Sequence, residues 1–154
     1  MIFNKFSSSE NKISSIGFGT WAIGSNKATG YGKIDIKEAI LTIQKSLERK
    51  INFFDTSNLY GNGYSEKILG KVLHKKRGRV FIASKGGCLP HDTLYMPQDF
   101  SKKNLSKSLN SSLKRLKTDY LDLFQLHSPT IKDFKKQKCM DTLLKIKEAG
   151  KSRF

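Results

Sequence analysis

At 154 residues the chain is of ordinary single-domain size, long enough to bury one sizeable core and leaving little room for two separate domains. Lys and Arg number 29 against 13 Asp and Glu, a formal net charge of +16, which admits an anionic ligand or nucleic acid as partner without choosing between them. The cations are spread over polar helix faces rather than gathered in one run, and no stretch reaches the roughly 18 apolar residues that span a bilayer, so a soluble protein with a solvated basic surface is expected.

After a Ser-rich start at 7–9, the first apolar run of strand length is IGFGTW, Ile16 to Trp21. The glycines of GFGTWAIG, Gly17 to Gly24, miss the dinucleotide fingerprint, because no Gly follows Gly19 at the third position and the next helix begins only near Asp35. They read as permissive backbone around a strand end, with cofactor or substrate contact there left open. Asp35 and Glu38 give capping-box spacing to a helix over Asp35 to Lys50, with Ala39, Ile40, Ile43 and Leu47 along one stripe. A second strand, Ile51 to Asp55, precedes a helix over Ser65 to Lys76, expected to use Ser65 as its N-cap and to bury Ile68, Leu69, Val72 and Leu73. Val80 to Lys85 is the third strand. A helix over Ser101 to Lys117 then repeats Leu at 105, 109, 113 and 116. Tyr120 to His127 is the fourth strand, and a last helix runs from about Phe134 to Ala149, stopping at Gly150.

The four strands are mostly apolar on both parities, as strands buried between a core and a helix layer are. The alternation β-α-β-α-β-α-β-α, in units of about 30 to 40 residues, calls for parallel strands joined by right-handed crossovers. The fold class is therefore α/β. Two versions stay open: a doubly wound sheet, or part of a (β/α) barrel, whose full form takes eight units and about 250 residues. Cys88 and Cys139 lie far apart without CxxC spacing, and no apolar leader precedes them, which points to a reduced, cytoplasmic setting. With His91 they lack the paired spacing of a metal cage, and no metal site is expected.

Four polar residues occupy equivalent places: Asp55 ends the second strand, Tyr60 lies in the loop after it, Lys85 ends the third strand and His127 ends the fourth. In either α/β version the C-terminal ends of parallel strands form the functional rim, so these side chains should converge. The chemistry they suit is proton donation to a carbonyl oxygen. A tyrosine hydroxyl ordinarily ionises near pH 10, and an ammonium beside it favours the phenolate; Lys85 is placed to supply that charge and Asp55 to keep it. His127 can hydrogen-bond and orient the substrate oxygen. The set contains no nucleophile and no metal cage, so a reduction there would take its electrons from a bound cofactor.

NFFDTSNLYGNGYSEKILGKVL, Asn52 to Leu73, and SLKRLKTDYLDLFQLHSP, Ser112 to Pro129, together with GFGTW and IASKGG, resemble the aldo-keto reductase superfamily. The similarity runs over nearly the whole chain. It implies a TIM barrel, NADPH as hydride donor, a small carbonyl substrate, and Asp55, Tyr60, Lys85 and His127 as the catalytic four with Tyr60 the acid. Gly19, Thr20, Trp21 and Asp55 are the candidate cofactor contacts. Members of that family run to about twice this length, and GKSRF, Gly150 to Phe154, resembles the opening of their fifth strand. Residues 1–154 thus read as one incomplete reductase domain of about four βα units, a truncated product or one part of a split protein. It is expected to self-associate or to need a complementary C-terminal half, and to be inactive alone. The alternative is a non-enzymatic basic α/β module that binds a partner chain or nucleic acid; against nucleic acid, no basic run is interleaved with exposed aromatics.

Overall fold

In the computed structural model, residues 1–7, 11–24, 31–93, 95–136 and 139–154 are described. A short antiparallel hairpin comes first, β1 (Phe3–Lys5) against β2 (Lys12–Ser14). Four strands then form one parallel sheet in chain order: β3 (Phe18–Gly19), β4 (Phe53–Asp55), β5 (Phe81–Gly86) and β6 (Leu123–Leu126). The strands fall inside or within a residue of the four apolar runs. Between them lie α1 (Ile36–Glu48), α2 (Tyr64–Leu73) and α3 (Lys102–Leu116), followed by α4 (Ile131–Lys136) and α5 (Cys139–Glu148).

Local chemistry explains most of the boundaries. Asp35 caps α1, its carboxylate accepting from the amides of Lys37 and Glu38, and Ser101 caps α3 by accepting from Asn104. Ser65 does not cap α2. That place belongs to Gly63, at φ +89, while Ser65 is buried one step inside the helix and its hydroxyl is taken by the carbonyl and hydroxyl of Thr20. Beyond Leu73 the chain tightens into a 3-10 segment, His74–Arg79. The last helix, expected from about Phe134 to Ala149, begins earlier, at Ile131; its described parts are α4 and α5, and 137–138 lie outside the described residues. Thr130 starts α4 early through a reciprocal box, its hydroxyl accepting from the Asp133 amide and the Asp133 carboxylate from the Thr130 amide. Gly150 ends α5 at φ +68.

The core lies between the outer face of the sheet and the helix layer. Phe54 and its register partner Ile82, with Phe124 opposite Ser84 on the same face, meet Ile43 of α1, Leu69 and Leu73 of α2, and Leu109, Leu113 and Leu116 of α3. Glu66 of α2, fully buried, joins the layers by accepting from Ser84 of β5 (2.6 Å) and Arg115 of α3 (2.7 Å). Helices α2 and α3 touch closely at Gly70, where an added Cβ would stand 2.3 Å from the Arg115 carbonyl oxygen. Ala is favoured over Gly inside a helix by about 1 kcal/mol, but a methyl forced against immobile backbone costs about 1–3 kcal/mol. Gly70→Ala should therefore destabilise the fold, lowering the urea midpoint with the slope unchanged.

The other sheet face is plugged at its N-terminal end by aromatic rings. Phe6, just past β1, packs on Phe81 (4.7 Å between centroids) and Phe154 (5.0 Å), and Phe53 packs on Phe81 (5.5 Å). Asn52 fastens the hairpin there, accepting from the Ser14 amide and donating to the Lys12 carbonyl. Residues 151–154 run parallel beside the start of β6: Leu121 donates to Lys151, Phe154 to Asp122, and Phe124 to Phe154. Buried Asp122 secures them, pairing with Arg153 (3.1 Å) and Arg77 (2.7 Å), whose guanidinium groups each lie over the Tyr120 ring.

Candidate active site

Side chains alternate across a strand, so positions 55 on β4, 83 and 85 on β5, and 123, 125 and 127 on and just beyond β6 share one face. Register brings their ends level: Asp55 pairs with Ala83, and Lys85 with Gln125. The ladder runs on past the strands, with the Thr56 amide donating to Ala83 and the His127 amide to Gly86. Asp55, Lys85 and His127 therefore stand on the rim and the inner face together, as the sequence pattern requires.

Tyr60 reaches them through a turn. Its amide donates to the Ser57 carbonyl, and Gly61, Asn62 and Gly63 follow at φ +59, +52 and +89, a left-handed run that Gly and Asn tolerate. Asn58 fixes the loop from below by donating to the Cys88 carbonyl (2.8 Å). The outcome is a contact at one atom. Lys85 Nζ donates to Asp55 Oδ1 at 2.6 Å, to the Thr56 carbonyl at 2.9 Å and to the Tyr60 hydroxyl at 3.2 Å. An ammonium has three donors, and all three are used. The Lys85 side chain is 15% exposed and that of Asp55 35%, so the pair stands at a mouth rather than in the core.

His127 faces the Tyr60 ring edge to face, with centroids 6.0 Å apart, and its Nδ1 lies 2.9 Å from Ser57 Oγ. Burial lowers its pKa below the ordinary 6.5, the Lys85 ammonium lowers it further, and Asp55 opposes both. The unfolded chain then takes up this proton more readily than the folded one. The stability linked to His127 is present above the ordinary value and is lost as pH falls through 6.5 toward the lowered value. Urea titrations at about pH 7.5 and about pH 5 should show a smaller loss of stability in His127→Gln than in the parent chain.

The candidate cofactor contacts divide. Trp21 is 47% exposed and lies parallel to Tyr60, 6.2 Å away, forming one wall of the mouth. At Gly19, opposite Asp55, an added Cβ would meet nothing within 4 Å, so bare backbone is open to approach. Thr20 is fully buried; its hydroxyl donates to the Asp55 carbonyl (2.9 Å) and accepts from Ser65 (2.6 Å), which places it beneath the site. Ser57 was not singled out in the sequence, although it belongs to the same Asp-Thr-Ser strand end. Among the described residues, no three His, Cys, Asp or Glu side chains come together as a metal cluster would need, and no helix is long and apolar enough to cross a membrane.

This arrangement of strands and side chains has relatives. A family model described as the aldo/keto reductase family matches residues 15–153. The chain belongs to the aldo/keto reductase family. Among curated relatives, the aldo-keto reductase YhdN of Bacillus subtilis is 39% identical over 120 residues, 77% of this chain and 35% of its own length. L-Galactose dehydrogenase of Arabidopsis thaliana is 34% identical over 148 residues, 93% of this chain and 44% of its own. The holo form of the aldo-keto reductase AKR11C1 from Bacillus halodurans superposes with a TM-score of 0.86 at 30% identity, over 100% of this chain and 49% of that one. The chain thus spans less than half the length of these aldo/keto reductases. Of the two α/β versions left open by the sequence, the barrel is the one found: the four βα units are the N-terminal half of the family's TIM barrel.

Proposed function

We propose that this segment supplies the proton-transfer groups of an NADPH-dependent reductase that converts an aldehyde or ketone to an alcohol, with Tyr60 as the acid. The observation that carries the reading is the Lys85 ammonium, held at once by Asp55 (2.6 Å) and the Tyr60 hydroxyl (3.2 Å). Tyr60 delivers its proton to the substrate oxygen, and the adjacent ammonium steadies the phenolate left behind. Asp55 and the Thr56 carbonyl keep that ammonium aimed, and His127 holds the substrate oxygen in line.

A nicotinamide cofactor would supply the hydride. The exposed Trp21 face and the bare backbone at Gly19 suit a flat ring laid beside Tyr60, while Thr20 acts from below through Asp55. The names of the relatives, reductase and dehydrogenase, favour the same reaction class. Since those proteins are more than twice this length, reduction is proposed for a whole barrel, whose further strands would join beside residues 151–154; a complementary half-barrel is the partner that reading implies. A cytoplasmic setting accompanies it, supported by Cys88 and Cys139 being buried free thiols. The test is titration with NADPH, followed by nicotinamide fluorescence, with a complementary half supplied. Saturable binding and cofactor consumption with an aldehyde are expected. Binding without consumption across a panel of aldehydes and ketones would overturn the reading.

A further inference from the structure

The Ser57 hydroxyl has one hydrogen to give and two lone pairs to receive. The Leu59 amide donates to it at 3.1 Å, which occupies one lone pair. Two acceptors remain for its hydrogen: His127 Nδ1 at 2.9 Å and Asn58 Oδ1 at 3.4 Å. The second distance is long for an O–H donor, whose usual separation is about 2.7–2.8 Å. The Asn58 amide is not free to improve it, because its nitrogen is committed to the Cys88 carbonyl at 2.8 Å. Ser57 is fully buried, which keeps solvent from taking the hydrogen instead. Nδ1 is therefore the acceptor.

We infer that Ser57 is a positioning residue that fixes the tautomer of His127, holding the ring proton on Nε2. Nε2 has no partner among the described residues, and burial together with Lys85 disfavours the doubly protonated ring. A neutral imidazole with hydrogen on Nε2 is a donor, and a donor is what the oxygen of a carbonyl requires. Only this last step rests on the reductase reading. The tautomer rests on the contacts of Ser57 alone. Ser57 lies 70 positions from His127, so the pair exists only once β4 and β6 are level in the sheet.

The test is a long-range proton–nitrogen correlation spectrum of the imidazole groups in the 15N-labelled chain, recorded above the titration of His127. In the parent chain, His127 should show a protonated Nε2 and an unprotonated, hydrogen-bonded Nδ1. Ser57→Ala should shift Nδ1 away from its hydrogen-bonded position and move both nitrogens toward the averaged values of a mixed tautomer, and Ser57→Thr should restore the parent pattern. A protonated Nδ1 in the parent chain overturns the inference, whether or not the Ala variant folds; so do identical imidazole shifts in the parent and Ser57→Ala. The spectra need no cofactor, so a failed reductase assay leaves this test standing. Where reduction is measured, Ser57→Ala should lower kcat by about tenfold, the lower end of what losing an orienting partner does at other histidine sites, with KM nearly unchanged and Thr rescuing it.

Discussion

In a barrel completed by a complementary C-terminal half, Tyr60→Phe should remove nearly all carbonyl reduction while leaving the fold and the cofactor affinity almost untouched. The substitution deletes one oxygen. The ring keeps its stack on Trp21 and its edge contact with His127, so the wall of the mouth is preserved. Lys85 loses one of three acceptors and keeps Asp55 and the Thr56 carbonyl, so its charge stays where it was. What disappears is the proton that the substrate oxygen must receive as hydride arrives at carbon. Loss of a positioned general acid lowers a rate by about 10²–10⁴-fold, whereas the affinity for NADPH, which does not depend on that proton, should change by less than about twofold. Turnover and fluorescence titration on the same preparation separate the two effects. Undiminished turnover would assign the proton to another group.

In the same completed barrel, Lys85→Met should lower the rate by about 10²–10³-fold, through the charge rather than the proton. The methionine stem fills the lysine's path, but the phenolate formed on proton donation no longer has an ammonium 3.2 Å away. Two further groups lose their partner, the Asp55 carboxylate and the Thr56 carbonyl. The change therefore reaches the strand end as well as the chemistry, and the pH dependence of the rate should alter along with its size. Asp55→Asn should act in the same direction and more weakly, because Lys85 would keep both its charge and its contacts with Thr56 and Tyr60. The measurement is kcat/KM across pH for all three proteins. If Asp55→Asn left both rate and profile unchanged, Asp55 would be a strand-end residue with no part in aiming Lys85.

The catalytic candidates were legible because strand periodicity does the geometric work. An apolar run that ends in Asp55, another in Lys85 and a third in His127 places three charges or proton carriers on one rim wherever the strands are parallel and level. The sequence shows both the runs and the crossovers that make them parallel. The Leu repeat at 105, 109, 113 and 116 was legible for the same reason, and all four residues are buried. The hairpin was not. FNK and KIS are three residues each, mostly exposed, and they are held by Asn52 and Phe6, contacts no local pattern announces. Ser65 misled in the opposite way. It has the chemistry of an N-cap, but Thr20, 45 positions away, takes its hydroxyl into the base of the site. The early start of α4 at Ile131 had a visible signal in the spacing of Thr130 and Asp133, which the reading from Phe134 passed over. Ser57 had none, since its partner is supplied only by the folded sheet.

The most direct test follows the hydride and the proton together. NADPH carrying deuterium on the transferable carbon of its nicotinamide ring would be incubated with an aldehyde and the protein, with a complementary half-barrel supplied, and the product alcohol examined by mass spectrometry. One deuterium is expected on the former carbonyl carbon, in alcohol formed by the parent protein and nearly absent with Tyr60→Phe under the same cofactor saturation. Deuterated alcohol formed equally fast by Tyr60→Phe, or alcohol formed without deuterium, would contradict that expectation.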